Sequence, residues 1–267
     1  MMGILNVTPD SFSDGGIHLD PRVARDRALA MVGEGADLID IGGESTRPGS
    51  LPVSPEEQCR RVIPVIDALL QDQGGLIRPL VSIDTSSSLV AHEALERGAV
   101  LVNDVTAGAG DYRMFDVVAH HQAYMVLMHM QGTPQTMQEA PQYHQVVDEV
   151  AHYLASRVEA AVAAGVARER LILDPGIGFG KSREHNLELL RHLDRLCRLG
   201  HPVLLGCSRK RFMGSLCDET NPSALVGATV ATTALGAAQG VRIFRVHDVR
   251  PNRQAADVAW RLANAGV

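Results

Sequence analysis

The chain has 267 residues, 45% hydrophobic and 21% charged, which is the composition of an ordinary globular protein able to bury a large core. Its net charge is −6 and lysines and arginines form no basic stripe, so binding to nucleic acid or an anionic membrane by bulk electrostatics is excluded as a working reading. Cys59, Cys197, Cys207 and Cys217 form no C-x-x-C pair, and no apolar run reaches spanning length, so the expectation is reduced thiols in the cytoplasm.

The chain enters its first apolar run at once, over Gly3–Val7, which predicts a shortened N-terminus with nothing ahead to close a barrel floor. Further strands are expected at Leu38–Ile41, Leu80–Ile83, Val100–Val102, Tyr124–Met128, Leu171–Leu173, Val203–Leu205 and Ile243–Val246. Between them, apolar residues recur at three- and four-residue spacing over Pro21–Gly33, Pro55–Leu70, Leu89–Arg97, Tyr143–Ala164, Glu184–Leu199, Pro222–Gln239 and Val249–Ala265. Eight apolar strands alternating with helices imply a parallel sheet covered by helices, and the count favours an α/β fold of the (β/α)8 TIM-barrel type. No linker or repeat breaks the pattern, so residues 1–267 are read as one domain.

In such a barrel the active site forms at the C-terminal ends of the strands. Unusual polar residues collect there: Asn6, Asp84, Asn103, Asp174, Ser208-Arg209-Lys210, and Arg245 with His247. Arg245 and His247 are two apart, so they face the same side of their strand. Each residue alone could be a turn former or helix cap, but capping does not require all of them to recur at one end. Two long βα loops, Val7–Gly16 and Gly42–Gly49, carry Ser, Thr and Arg in the manner of a lid over a phosphorylated group. A third, Asp174–Lys181, is rich in glycine and brings backbone near a ligand.

Other signals are discounted. Gly180-Lys181-Ser182 ends like a phosphate loop, but Pro175 stands where its first glycine belongs. His92-Glu93-Ala94-Leu95-Glu96 begins like a zinc-protease helix, but Glu96 replaces the second histidine; His120-His121 is read as lying outside the site and Trp260 as core.

Taken in order, the segments Asn6–Gly16, Asp40–Gly49, Ser82–Thr85, Val102–Val105, Met128–Pro134, Leu173–Lys181, Ser208–Lys210 and Arg245–Val249 resemble the signatures of dihydropteroate synthases along nearly the whole chain. The resemblance implies condensation of 6-hydroxymethyl-7,8-dihydropterin diphosphate with p-aminobenzoate, giving 7,8-dihydropteroate and pyrophosphate. It implies that Asp174 accepts the N–H and amino group of the pterin edge, with Asp84 and Asn103 completing the ring's hydrogen bonds and Lys210 donating to its acceptors. Val105, Met128, Leu204, Gly206 and Gly178 would shape the slot. Asn6 would carry Mg2+, and Asn6, Arg245 and His247 would bind the diphosphate. Ser208 and the start of the helix near Pro222 would hold the p-aminobenzoate carboxylate, Phe12, Pro48, Phe179 and Lys210 its ring, while Thr46 and Arg47 close over the phosphates.

Relatives of this kind tend to be homodimers, and the small residues of Ala224–Gln239 permit close helix packing. Rival readings are a methyltetrahydrofolate:corrinoid methyltransferase on the same barrel, an aldolase with Lys210 as Schiff-base nucleophile, and a catalytically silent pterin-binding protein.

Overall fold

A computed structural model describes residues 1–8, 20–45, 49–70, 79–133 and 135–265. Eight parallel strands alternate with helices: β1 (Met2–Asn6), β2 (Leu38–Gly42), β3 (Leu80–Asp84), β4 (Leu101–Asp104), β5 (Tyr124–Met128), β6 (Leu171–Asp174), β7 (Leu204–Leu205) and β8 (Ile243–Val246). The sheet runs in the order β6-β5-β4-β3-β2-β1-β8-β7. A bridge from Leu173 to Val203 and a 2.9 Å bond from Leu173 N–H to the Pro202 carbonyl bring its two ends together. The result is a nearly closed TIM barrel.

The helices are α1 (Pro21–Gly33), α2 (Pro55–Leu70), α3 (Ser88–Glu96), α4 (Met114–His120), α5 (Val146–Ala163), α6 (Arg183–Arg191), α7 (Leu193–Cys197), α8 (Arg211–Cys217), α9 (Val226–Ala238) and α10 (Val249–Ala263). Local chemistry sets several boundaries. Asp20 caps α1 through Arg22 N–H, and Pro21 stands first in the helix, where its missing N–H costs nothing. Ser182 and His185 cap α6 reciprocally.

Two expected helices differ in detail. The span Glu184–Leu199 is broken at His192, whose backbone (φ −121°, ψ 32°) leaves the helical region. The span beginning at Pro222 opens as a 3-10 turn over Pro222–Ala224, and α-helical bonding starts only at Val226. Trp260 is 37% exposed rather than core; its ring lies 4.1 Å beneath the Arg242 guanidinium.

Strand alternation divides the side chains into two sets. Leu5, Ile39, Ile41, Ile83, Val102, Met125, Leu127, Leu171 and Leu173 point outward into the layer shared with the helices. Met2, Leu101, Val126, Ile172 and Leu204 form a separate apolar plug inside the barrel. Above the plug the inward residues turn polar, with Asp40, Ser82, Asp84, Asn103 and Asp174 all buried. The fold thus carries its polar groups at the end where the strands terminate.

Candidate functional site

The mouth is organised around one guanidinium. Arg245, inward on β8, donates from Nε to Asp40 Oδ2 and from Nη2 to Asp84 Oδ2, each at 2.6 Å. Asn103 Nδ2 adds a 3.0 Å bond to the same Asp40 oxygen. Four strands, β2, β3, β4 and β8, are therefore joined through side chains inside the barrel. Burial and the neighbouring carboxylates raise Asp84 above the usual carboxylate range, while Arg245 opposes the shift. The same two carboxylates hold Arg245 firmly protonated.

Asp174, across the mouth at the end of β6, is 5% exposed. Its Oδ1 accepts a 2.7 Å bond from Gly176 N–H. Burial pushes its carboxyl up to about 6, with that bond and the cations of Lys210 and Lys181 pulling the other way. A Cβ on Gly206 would stand 3.9 Å from Asp174 Oδ2, so the absent side chain leaves that oxygen approachable from β7. Met128, the residue paired with Asp174 across the β5–β6 ladder, is buried beside it.

The loop after β6 makes a bracket. Gly176 has φ +65°, and a Cβ there would fall 1.9 Å from the His129 carbonyl oxygen; only glycine allows the two loops to approach so closely. Lys181, 2% exposed, ties the bracket down by bonds of 2.9 Å to the Gly176 and Phe179 carbonyls and 3.2 Å to that of His129. Its ammonium also meets His129 Nδ1 at 2.9 Å. Burial lowers Lys181 to about 7, and burial together with Lys181 lowers His129 to about 3, so the imidazole is neutral and accepts. The bracket aims Phe179 at the mouth, where Lys210 Nζ lies 3.9 Å from the ring centroid. At Gly178, φ +81°, a Cβ would crowd Lys210 Cδ to 3.0 Å. Burial, with repulsion from Arg245, lowers the Lys210 ammonium to about 8.

The β7 and β8 ends complete the mouth. Ser208 Oγ lies 2.9 Å from His247 Nδ1 and accepts a 3.1 Å bond from His247 N–H. Between Ser208 and Lys210, Arg209 takes φ +57° and turns away, gripping Asp248 with bonds of 3.0 and 2.8 Å. Its charge is thus committed to the β8–α10 turn and only its two neighbours are presented inward. Asn6 ends β1 beside Gly42, and its side-chain amide has no hydrogen-bond partner among the described residues. Val105, just past β4, lines a side cavity of about 160 Å³ with Glu44, Ser45 and Met130. A larger cavity, about 210 Å³, opens at the opposite end beside Met1, Asp37 and Trp260, away from the polar cluster.

Of the residues expected from sequence, Asn6, Asp84, Asn103, Asp174, Gly178, Phe179, Gly206, Ser208, Lys210, Arg245 and His247 gather at the C-terminal end of the barrel. Leu204 lies lower, in the apolar plug, and forms floor rather than wall. Phe12, Thr46, Arg47 and Pro48 fall outside the described residues. The 3-10 turn at Pro222–Ala224 places the start of α9 four residues beyond the expected anion-binding terminus. Sequence reading misses Asp40 as a site residue, although a carboxylate two positions before Gly42 in an otherwise apolar strand is itself a signal. Lys181, discounted as part of a false phosphate loop, proves to be the pin of the β6 loop.

Residues 2–247 match the family model described as pterin binding enzyme. Over 264 residues the chain is 46% identical to the dihydropteroate synthase of Synechocystis sp., covering 98% of this chain and 90% of that one. Among solved structures it is similar to Xanthomonas albilineans dihydropteroate synthase with 4-aminobenzoic acid, at TM-score 0.91 and 46% identity, covering 100% and 93% of the two chains. It is similar also to Yersinia pestis dihydropteroate synthase in a sulfonamide complex, at TM-score 0.91 and 42% identity, covering 98% and 93%.

Proposed function

The chain belongs to the family of pterin-binding enzymes, and from that premise we propose the reaction its mouth is built for. It is a dihydropteroate synthase, a transferase that joins 6-hydroxymethyl-7,8-dihydropterin diphosphate to p-aminobenzoate and releases pyrophosphate. The observation that carries this reading is the buried Asp174 carboxylate, with one oxygen fixed by Gly176 N–H and the other left approachable by Gly206. A pterin edge offers an N–H beside an amino group, and a fixed carboxylate accepts both. Asn103 and Asp84 supply further polar partners across the mouth, and Lys210 donates to the ring's acceptor atoms. Val105 and Met128 flank the slot.

The bond that breaks joins the pterin methylene carbon to the diphosphate oxygen; the bond that forms joins that carbon to the aniline nitrogen, which then gives up one proton to water. We read the order as dissociative, with the electron-rich pterin supporting a cationic methylene before attack. The weakly basic aniline then needs no protein nucleophile, which fits a mouth whose thiol, Cys207, is buried and pushed up to about 12. Arg245 and His247 offer donors to the departing diphosphate. Asn6, with an uncommitted amide oxygen at the mouth, fits a hard cation that takes its other ligands from phosphate and water, so it is our candidate for Mg2+. When bound, that ion would neutralise charge on the leaving group. Ser208 and Phe179 would receive the carboxylate and ring of p-aminobenzoate.

Sulfonamides would compete with p-aminobenzoate for that subsite. We expect a homodimer, whose close helix packing the small residues of α9 would permit, and four free cysteines fit a cytoplasmic setting. Among the described residues no helix is long and apolar enough to cross a membrane.

The test is pyrophosphate release with the pterin diphosphate, p-aminobenzoate and Mg2+, with controls lacking each component. Release coupled to dihydropteroate formation supports the reading. Pterin binding without release by the folded protein would replace it with a silent binder, and methyl transfer to a corrinoid with the methyltransferase.

A further inference from the structure

A second cluster of ligating groups lies on the outer wall, away from the mouth. His92 and Glu96 are four apart on α3, so their side chains share one helix face. His121 follows α4 directly and packs against that face. His92 Nδ1 and His121 Nε2 stand 3.0 Å apart, and His121 Nε2 is 3.6 Å from Glu96 Oε1. One ligand atom from each of the three residues falls within 4.8 Å of the others, the sole such set of histidine, cysteine and carboxylate groups among the described residues.

These separations have a physical meaning. Around a tetrahedral ion with bonds of about 2.0–2.1 Å, ligand atoms lie about 3.3 Å apart. The two separations bracket that value, and Glu96, 55% exposed, has the freedom to adjust. His121, 13% exposed, is the fixed member.

Two imidazoles and one carboxylate make a borderline donor set, suited to zinc or cobalt and poorly suited to magnesium, which prefers oxygen. The sequence fragment His92–Glu96 lacks the second histidine of a zinc-protease helix; the fold brings His121 from the next helix instead. The cluster sits at the other end of the barrel from the mouth, because α3 descends from the end of β3 and His121 precedes β5. An ion there would tie α3 to the α4–β5 turn on the face where TIM barrels carry stability rather than chemistry.

We propose that His92, Glu96 and His121 form a structural site for one borderline divalent cation of the zinc type, with one coordination position left to water. This assignment is independent of the reaction at the mouth. The probe is Zn2+ alone, titrated into chelator-stripped protein with melting followed in parallel, and Co2+ as a visible reporter. The expected result is uptake of one ion per chain and a Tm rise of about 5 °C or more at roughly a hundredfold excess over Kd. The tetrahedral Co2+ band should appear with the same stoichiometry. His92→Gln and His121→Gln should each lose the uptake, the band and the Tm rise, while His152→Gln, an exposed residue of α5, keeps all three. Absence of saturable uptake by the unmodified protein, or its retention in either variant, overturns the proposal.

Discussion

Replacing Asp174 with asparagine separates ligand recognition from fold stability, because the structure assigns this carboxylate a cost in one and a benefit in the other. Burial raises it from an ordinary 3.8 to about 6. Between those values the folded chain holds the proton more tightly than the unfolded one. Native stability therefore falls as pH rises from about 4 through 6, and a shift of roughly two units corresponds to on the order of 3 kcal/mol lost above that window. The asparagine of the variant would remove the cost, and its oxygen can keep the bond from Gly176 N–H. Its amide NH2 would then face the pterin's own N–H and amino donors, leaving donor against donor, which should weaken pterin binding about 100-fold or more. In the unmodified protein, binding should follow ionisation of Asp174: flat above about pH 7, and roughly tenfold weaker for each unit below 6. Calorimetric titration with a pterin across pH 5 to 8, beside urea unfolding at each pH, reads both quantities. A flat affinity profile through 6, or pterin binding within a few fold in Asp174→Asn, would refute the reasoning.

Arg245→Met leaves Asp40 and Asp84 buried together without their cation, which should cost about 3–5 kcal/mol in urea unfolding at pH 8 and less at pH 5, where Asp84 takes up a proton. Gly176→Ala places a methyl 1.9 Å from the His129 carbonyl oxygen at a φ of +65°; a loss of about 3 kcal/mol or more is expected in the same assay, whereas Gly200→Ala, with open space for its Cβ, should lose only the smaller backbone strain. Lys210→Met removes the ammonium over Phe179, and pyrophosphate release at saturating substrates should fall about 100-fold with a retained melting transition.

The fold is legible because the strands announce themselves as apolar runs, and β1, β3, β4 and β6 do so a second time through the polar residue that ends each, Asn6, Asp84, Asp104 and Asp174. The runs Tyr124–Met128 and Ile243–Val246 coincide with their strands to the residue, as do Pro21–Gly33 and Pro55–Leu70 with their helices. The failures have separate causes. His192 and Leu225 interrupt patterns whose apolar spacing continues across the break, so periodicity alone cannot reveal it. The size of Trp260 suggests core, yet it caps the surface under Arg242, a contact made by a residue 18 positions earlier. The short α4 and α8 carry too few turns to establish a period.

At the site, sequence locates the polar residues but not their partners. Strand alternation says that Asp40, Asp84 and Arg245 all point inward; it does not say that one guanidinium spans both acids, because β8 closes on β1 only in three dimensions. The same closure explains why Arg209 differs from its neighbours. Its left-handed backbone sends it to Asp248 and leaves Ser208 and Lys210 facing the mouth, a division that three consecutive polar residues cannot display as a string. Buried charge is costly, and a polar layer above an apolar plug would weaken a barrel that had no ligand to meet. Here Asp40 Oδ1 and Ser82 Oγ lie buried without hydrogen-bond partners among the described residues, and Asp174 titrates high. A chain selected for stability alone would have continued the plug upward with leucine and valine; the retained acids and cations are explicable as the cost of holding a polar, charged substrate at fixed positions on rigid strands.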